Sequence, residues 1–190
     1  MRKFPLYGTT MLAALMLFIS SCKKEIAENT QDRVSAMHAD HDHGDEGTDV
    51  GVDDGTNAAL VKSVQQATAR FQSSVQAIKA GYQPDNHCVS VPGLGGMGYH
   101  WMKPSLVDAT FDPLQPEVLL YADGPGGTKR LIGVEYVVVN VGQERPSFGN
   151  KLFDIGGTPM PMPHWSLHVW AYEHNPSGLF APFNPNVKCQ

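Results

Sequence analysis

Basic residues are scarce in this chain, and their scarcity excludes one broad class of function. The 190 residues include 14 Lys and Arg against 19 Asp and Glu. Residues 57–190 carry nine basic and nine acidic residues, so this stretch has no net charge. A protein that binds nucleic acid needs a basic face to neutralise phosphates. The composition therefore predicts no nucleic-acid partner.

The sequence also lacks the short motifs of several common catalytic sites. It contains no H-E-x-x-H, no G-x-S-x-G and no P-loop. The glycine-rich run over 91–98 precedes a predicted strand, not a helix, and no Lys-Ser or Lys-Thr follows it. We interpret this run as a tight loop that lets the backbone pass close to another segment.

Long apolar runs are missing beyond the N-terminus, where one short run indicates an export signal. Arg2 and Lys3 precede the apolar run over 11–19, which is shorter than the roughly 20 residues that span a bilayer. Small residues and then Cys22 follow it. This order resembles a bacterial lipoprotein signal. An ordinary secretory peptide with a chance cysteine is the alternative.

The lipoprotein signal predicts both a location and an anchor. Residues 1–21 would be removed, and acyl chains on Cys22 would hold the protein to a membrane. Each buried methylene of such a chain contributes about 0.8 kcal/mol. We therefore expect a lipid-anchored protein of the bacterial cell envelope, outside the cytoplasm, whose partner is the membrane.

The segment over 22–56 is predicted to be a flexible tether behind this lipidated cysteine. Residues 23–56 carry three basic and ten acidic residues and show no apolar periodicity. As a coil, the tether would reach about 30 Å. His38, His41 and His43 alternate with carboxylates, a composition that can capture Zn, Cu or Ni. A solvated spacer without a metal function is the alternative.

Only three cysteines are present, and lipidation of Cys22 leaves two. Export places Cys88 and Cys189 in an oxidising compartment, so we predict a disulfide between them. Metal thiolates or a free nucleophile are the alternatives, although neither cysteine belongs to a C-x-x-C motif.

Residues 57–190 are predicted to form a single globular α+β domain. An apolar stripe of period 3.6 over 58–80 predicts one N-terminal amphipathic helix. Apolar runs between Pro and Gly turn signals then predict a mainly antiparallel sheet. Its strands are expected near 97–102, 117–122, 130–140 and 166–173. The last of these could instead be a short helix.

Polar residues inside apolar strands are the candidate functional residues. His100, Glu135 and His168 each lie within a predicted strand, and a buried carboxylate needs a partner. Two imidazoles and one carboxylate suit Zn or Fe(II), so we predict a divalent metal site. Glu117 is a further candidate, although we expect a solvated side chain at a strand start. Alternatively, both histidines are neutral core residues, and Glu135 pairs with Lys, Arg or Tyr.

The chain resembles a group of exported bacterial proteins of unknown function. The resemblance extends over about 58–190, and its motifs lie at 80–82, 88–89, 96–100, 116–121, 133–136, and 167–170 through 175–185, ending at Cys189. It implies no activity. It does place the four candidate residues and both remaining cysteines in shared motifs.

Three functions are consistent with this sequence. The first is a membrane-tethered binding protein of the cell envelope whose pocket holds a divalent metal ion. The second is a metal-dependent envelope enzyme of unknown substrate, with Glu117 or Glu135 as base. The third is a structural envelope lipoprotein without a metal.

Overall fold

A computed structural model describes residues 55–157 and 160–189. These residues lie within the compact unit Gly47–Gln190. The predicted signal sequence, Cys22 and the three tether histidines lie outside the described residues. In the part of the chain that is described, no helix is long and apolar enough to cross a membrane.

A broken helical segment precedes the sheet. Its elements are α1 (Gly55–Thr68), a 3₁₀ turn (Ala69–Gln72) and α2 (Ser74–Lys79). The continuous amphipathic helix predicted over 58–80 is not found, because the backbone at Ser73 is extended, with ψ at 108°. Val75 and Ile78, the end of the predicted apolar stripe, are 57% and 49% exposed, and Ala77 is buried. Because of this break, the apolar positions before and after Ser73 do not lie along one side of a single helix. A different side of α2 therefore faces the core.

The strands of the described residues are β1 (Cys88–Val91), β2 (Gly95–Met102), β3 (Val118–Asp123), β4 (Lys129–Val139), β5 (Ser147–Phe148), β6 (Lys151–Leu152), β7 (Asp154–Ile155) and β8 (His164–Val169). Six of them form an antiparallel sheet in the spatial order β1-β2-β3-β4-β8-β7. Strands β5 and β6 pair with each other. The α+β class and the antiparallel sheet agree with the prediction. The sequence did not predict β1, β5, β6 or β7. The last three contain two residues each, which is too few to show alternation. The strand predicted over 166–173 is shifted, since β8 ends at Val169.

Apolar side chains cover both faces of the sheet. The helix-side cluster packs the sheet against the helices and includes Val64, Phe71, Tyr99, Trp101, Leu119, Tyr121, Leu131, Val134, Tyr136 and Leu167. The site-side cluster lies on the other face and consists of Val118, Leu120, Ala122, Ile132, Val137, Trp170 and Val187. Glu135 therefore belongs to a strand that is covered on both sides, as its sequence predicts.

An irregularity in the β3–β4 pairing changes which residues share a face with Glu135. The register shifts by one residue between Leu120 and Tyr121, which leaves Ile132 without a partner of its own. Strict alternation predicts Leu131 on the same face as Glu135, and that prediction is wrong. Leu131 belongs to the helix-side cluster, and Ile132 takes its place on the site side.

The predicted disulfide between Cys88 and Cys189 is confirmed, with a Cα–Cα distance of 5.6 Å. It joins the edge strand β1 to the end of the described chain. The same C-terminal segment forms an isolated bridge between Asn184 and Gly96 of β2. Its Val187 belongs to the site-side cluster. The disulfide therefore holds a segment that covers part of that face.

Candidate metal centre

Strand register brings the three predicted metal ligands to one face of the sheet. Glu135 of β4 lies directly opposite His168 of β8. His100 is on β2. Strand β3 lies between His100 and Glu135, since its Leu120 pairs with His100 and its Val118 pairs with Glu135. Leu120 and Val118 belong to the site-side cluster. The histidines therefore approach Glu135 from opposite sides, above an apolar floor.

The nitrogen atoms of both histidines converge on the same carboxylate oxygen. Glu135 Oε2 lies 3.6 Å from His100 Nε2 and 3.9 Å from His168 Nε2. The two imidazole rings are 5.8 Å apart and nearly perpendicular, and the three donor atoms all lie within 4.8 Å of one another. A tetrahedral ion with bonds of about 2.0–2.1 Å holds its ligand atoms about 3.4 Å apart. Small side-chain movements would bring these three atoms to that spacing.

His168 has a buried ring nitrogen without a partner. The residue is 8% exposed, and its Nε2 forms no hydrogen bond to any residue that the structure describes. A buried polar atom without a partner costs about 1–3 kcal/mol of stability. An ion held between His168 and Glu135 would supply the missing interaction. The orphaned nitrogen therefore favours the metal site over the alternative of satisfied core histidines.

Burial keeps both imidazoles neutral. It lowers the pKa of His168 to about 4 and also lowers the pKa of His100, although Glu135 raises the latter in part. Burial raises the pKa of Glu135, and the nearby His100 opposes this shift. The short N–O separations could be taken as ion pairs, but the desolvation of the histidines disfavours their charged forms. Neutral imidazoles have the free lone pairs that metal ligation requires.

Glu117 does not join this group. It was expected to be solvated, but it is 2% exposed. It lies just before β3, and its charge raises the pKa of Tyr82 and of Tyr136 in the helix-side cluster, which places it on the other side of the sheet from the three ligands. Its Oε2 accepts a hydrogen bond of 3.0 Å from the Val137 amide. Burial raises the pKa of Glu117 to about 7.

The raised pKa of Glu117 makes the stability of the fold depend on pH, and Glu117→Gln should remove this dependence. A carboxyl group whose pKa is raised by folding stabilises the fold below its unfolded pKa of 4.5, and this contribution disappears as the pH rises through about 7. The loss amounts to about 3 kcal/mol. We expect Glu117→Gln to gain that much relative to the unsubstituted protein between pH 4 and pH 8. Urea unfolding of both proteins across this range measures the difference, and parallel pH profiles would contradict it.

Two polar residues near the centre carried little or no signal in the sequence. His164 is buried, and its Nδ1 lies 2.9 Å from the Met162 carbonyl oxygen. Its electrostatic effect lowers the pKa of Glu135. Asp154 pairs with Ser166 beside the centre, and its charge raises the pKa of His168. Asp154 could not be predicted because β7 contains two residues.

A shallow cavity of about 290 Å³ lies away from the candidate ligands. Its walls come from the β1–β2 turn and the C-terminal segment, including Val91, Pro185 and Lys188. None of the three candidate ligands lines it, so its size says nothing about the metal centre.

Comparisons with protein-family models, with curated proteins and with solved structures find no match to this chain. The interpretation of the centre therefore depends on its own geometry and chemistry. The resemblance to exported bacterial proteins of unknown function stays a prediction.

Proposed function

We propose that this protein binds a divalent metal ion through His100, Glu135 and His168, and that a lipid on Cys22 holds it to a membrane of the bacterial cell envelope. The observation that carries the metal site is the buried Nε2 of His168, which has no hydrogen-bond partner within 55–157 and 160–189 and lies 3.9 Å from the Glu135 carboxylate.

The ligand set supports zinc or iron(II) as the ion. Two imidazoles and one carboxylate are a common set for both metals, and three protein ligands leave at least one position for water or another ligand. The side chains of His100 and Glu135 are 21% and 14% exposed, so an ion can reach the site from solvent.

The position of Glu117 favours a binding protein over a metal-dependent enzyme. In the enzyme hypothesis, Glu117 or Glu135 acts as the base beside the ion. Glu135 is occupied as a ligand in the proposed site, and Glu117 faces the opposite side of the sheet. The enzyme hypothesis therefore loses both carboxylates proposed as its base.

The envelope location is supported by the N-terminal sequence and by the disulfide. An apolar run, small residues and Cys22 follow one another in the order of a lipoprotein signal. A bond between Cys88 and Cys189 fits an oxidising compartment.

Metal titration of a lipid-free protein tests the proposed site. The test chain consists of residues 22–190 with Cys22→Ser, and with His38, His41 and His43 replaced by Ala so that the tether does not bind metal. We expect one equivalent of Zn²⁺ or Fe²⁺ to bind and to raise the melting temperature. His168→Ala should weaken binding by more than about 100-fold, since loss of outer-shell partners alone costs 10–100-fold.

The matched control is His87→Ala, which removes an exposed histidine of the same domain. It should leave the affinity unchanged. No bound metal in the unsubstituted test chain, with no effect of a chelator on melting, would refute the proposal. Full binding by His168→Ala would refute this set of ligands.

A further inference from the structure

Met102 lies beside the proposed metal site and is not among its three ligands. In the register of the sheet, Met102 pairs with Val118, Val118 with Glu135, and Glu135 with His168. These four residues therefore form one row across β2, β3, β4 and β8. Met102 also follows His100 by two residues, so both side chains are on the same face of β2.

The spacing of a β-sheet shows that Met102 starts closer to Glu135 than His100 does. Neighbouring strands are about 4.8 Å apart, and residues on the same face of a strand are about 7 Å apart. In a flat sheet, Met102 would begin about 10 Å from Glu135 and His100 about 12 Å, because His100 is also displaced along the strand. The imidazole of His100 nevertheless reaches to 3.6 Å from the carboxylate. A methionine side chain has similar length and can reach the same point.

The side chain of Met102 packs on the same face of the sheet as the proposed site. The side chain is partly buried and packs against the site-side cluster, which includes the Val118 that separates it from Glu135. On its outer side, Met102 is held by the bridge to Gln83, whose amide donates to the Met102 carbonyl at 2.8 Å. The backbone is therefore fixed, and the flexible thioether is free to bend towards the ion.

A thioether changes which ion the site prefers. Thioether sulfur is a soft ligand that selects copper(I), while imidazole accepts copper as readily as zinc or iron. Affinity for divalent ions also peaks at copper in the general order of the first-row metals. Two imidazoles with one thioether would therefore hold copper in both oxidation states, with the carboxylate contributing more to Cu²⁺.

We propose that Met102 is a further ligand of the centre and that the ion the centre takes in preference to zinc is copper, held as Cu⁺ by His100, His168 and Met102. This inference rests on the proposed function, because it uses the same histidines. It adds the ligand and the identity of the metal.

Parallel measurements of copper and zinc affinity test this inference in the test chain defined above. Cu⁺ affinity is measured by competition with a chromophoric Cu⁺ chelator in ascorbate. A thiol reductant is avoided, since it would attack the Cys88–Cys189 disulfide. Met102→Leu conserves volume and is tolerated in most cores. We expect it to lower Cu⁺ affinity at least tenfold and to change Zn²⁺ affinity less than threefold.

The matched control is Met97→Leu, the same substitution in the same strand, at the residue that the register shift between β1 and β2 skips, and it should change neither affinity. X-ray absorption of the copper-loaded test chain gives an independent readout and should show a sulfur atom bound to copper. Cu⁺ affinity of Met102→Leu within threefold of the unsubstituted chain, or no copper–sulfur bond, would overturn the inference. If Zn²⁺ binding still depended on His168, the proposed function would stand; if the unsubstituted chain bound neither metal, both proposals would fail.

Discussion

Removing the Cys88–Cys189 disulfide is expected to lower the free energy of unfolding by about 2–5 kcal/mol. The two cysteines are 101 residues apart. For a loop of this size, the entropy lost by the cross-linked unfolded chain corresponds to about 4.7 kcal/mol at 25 °C. Single domains are stable by only about 5–15 kcal/mol. The double substitution Cys88→Ser with Cys189→Ser should therefore leave a marginally stable protein.

Local contacts should add to this loss at one edge of the sheet. The disulfide holds the C-terminal segment against β1 and β2, where Val187 is buried in the site-side cluster and Asn184 forms its bridge to Gly96. Without the bond, this segment loses its covalent link to β1 and opens more easily. We expect the amides of Gly96 and Asn184, which bond to each other's carbonyls, to lose protection from hydrogen exchange before the centre of the sheet does.

Urea unfolding at pH 7 measures the global effect, and hydrogen exchange measures the local one. The control is the unsubstituted test chain treated with a reductant, which should behave like the double variant. A stability change below about 1 kcal/mol would contradict the prediction, and it would indicate that the unfolded chain is already compact without the bond.

The candidate centre could be predicted because its residues conflict with their surroundings in the sequence. Glu135 lies in an apolar run that supplies both faces of a buried strand, and His168 lies between the apolar residues Leu167 and Val169. Polar groups in such places need partners, so the sequence identifies them without a fold. The sequence does not identify which strands are neighbours. His100 reaches Glu135 across an intervening strand, and only the register shows this.

The errors at Ile132 and Glu117 share a physical cause, since each depends on a contact with another strand. The apolar stripe of the helix continues through Ser73, and nothing local predicts the break that exposes Val75 and Ile78. The extra residue at Ile132 follows from pairing with β3, not from the sequence of β4. Glu117 was expected to be solvated because it begins a strand, but the Val137 amide of the next strand and the helix-side face enclose it.

The glycine at position 98 allows the backbone of β2 to approach that of β3 closely. This residue lies two positions before His100 and has φ at +88°, a conformation that favours glycine. A Cβ atom here would lie 2.3 Å from the carbonyl oxygen of Tyr121 on β3. The glycine-rich run was interpreted as a loop that allows a close backbone approach. Its last glycine does this inside strand β2, beside the candidate centre.

Glu135→Gln is expected to abolish metal binding and at the same time to stabilise the metal-free protein. Burial raises the pKa of Glu135 in the folded state. Its contribution to stability is therefore complete below the unfolded pKa of about 4.5 and is lost as the pH rises through the folded value. Above its folded pKa, Glu135 is a buried carboxylate between two neutral histidines in the metal-free protein. Glutamine keeps the shape of the side chain and removes the charge, so the melting temperature should rise.

Bound metal reverses the expected effect of Glu135→Gln on the melting temperature. The ion replaces the hydration that the carboxylate lost, and a neutral amide is a much weaker ligand for Zn²⁺. We expect the affinity of Glu135→Gln to fall by more than about 100-fold. Saturating zinc should then raise the melting temperature of the unsubstituted chain but not of the variant. Thermal unfolding of both proteins at pH 8, with zinc and with a chelator, measures the four values.

The matched control is Glu117→Gln, which removes a second buried carboxylate whose pKa is raised, on the face without the centre. It should stabilise the protein at pH 8 with and without zinc and leave the metal affinity unchanged. A metal-free Glu135→Gln variant that melts below the unsubstituted chain would contradict the prediction, and it would show that His100 and His168 form stabilising ion pairs with the Glu135 carboxylate. Stabilisation of the metal-free variant together with loss of zinc binding would show that Glu135 is retained at the expense of stability in order to hold an ion.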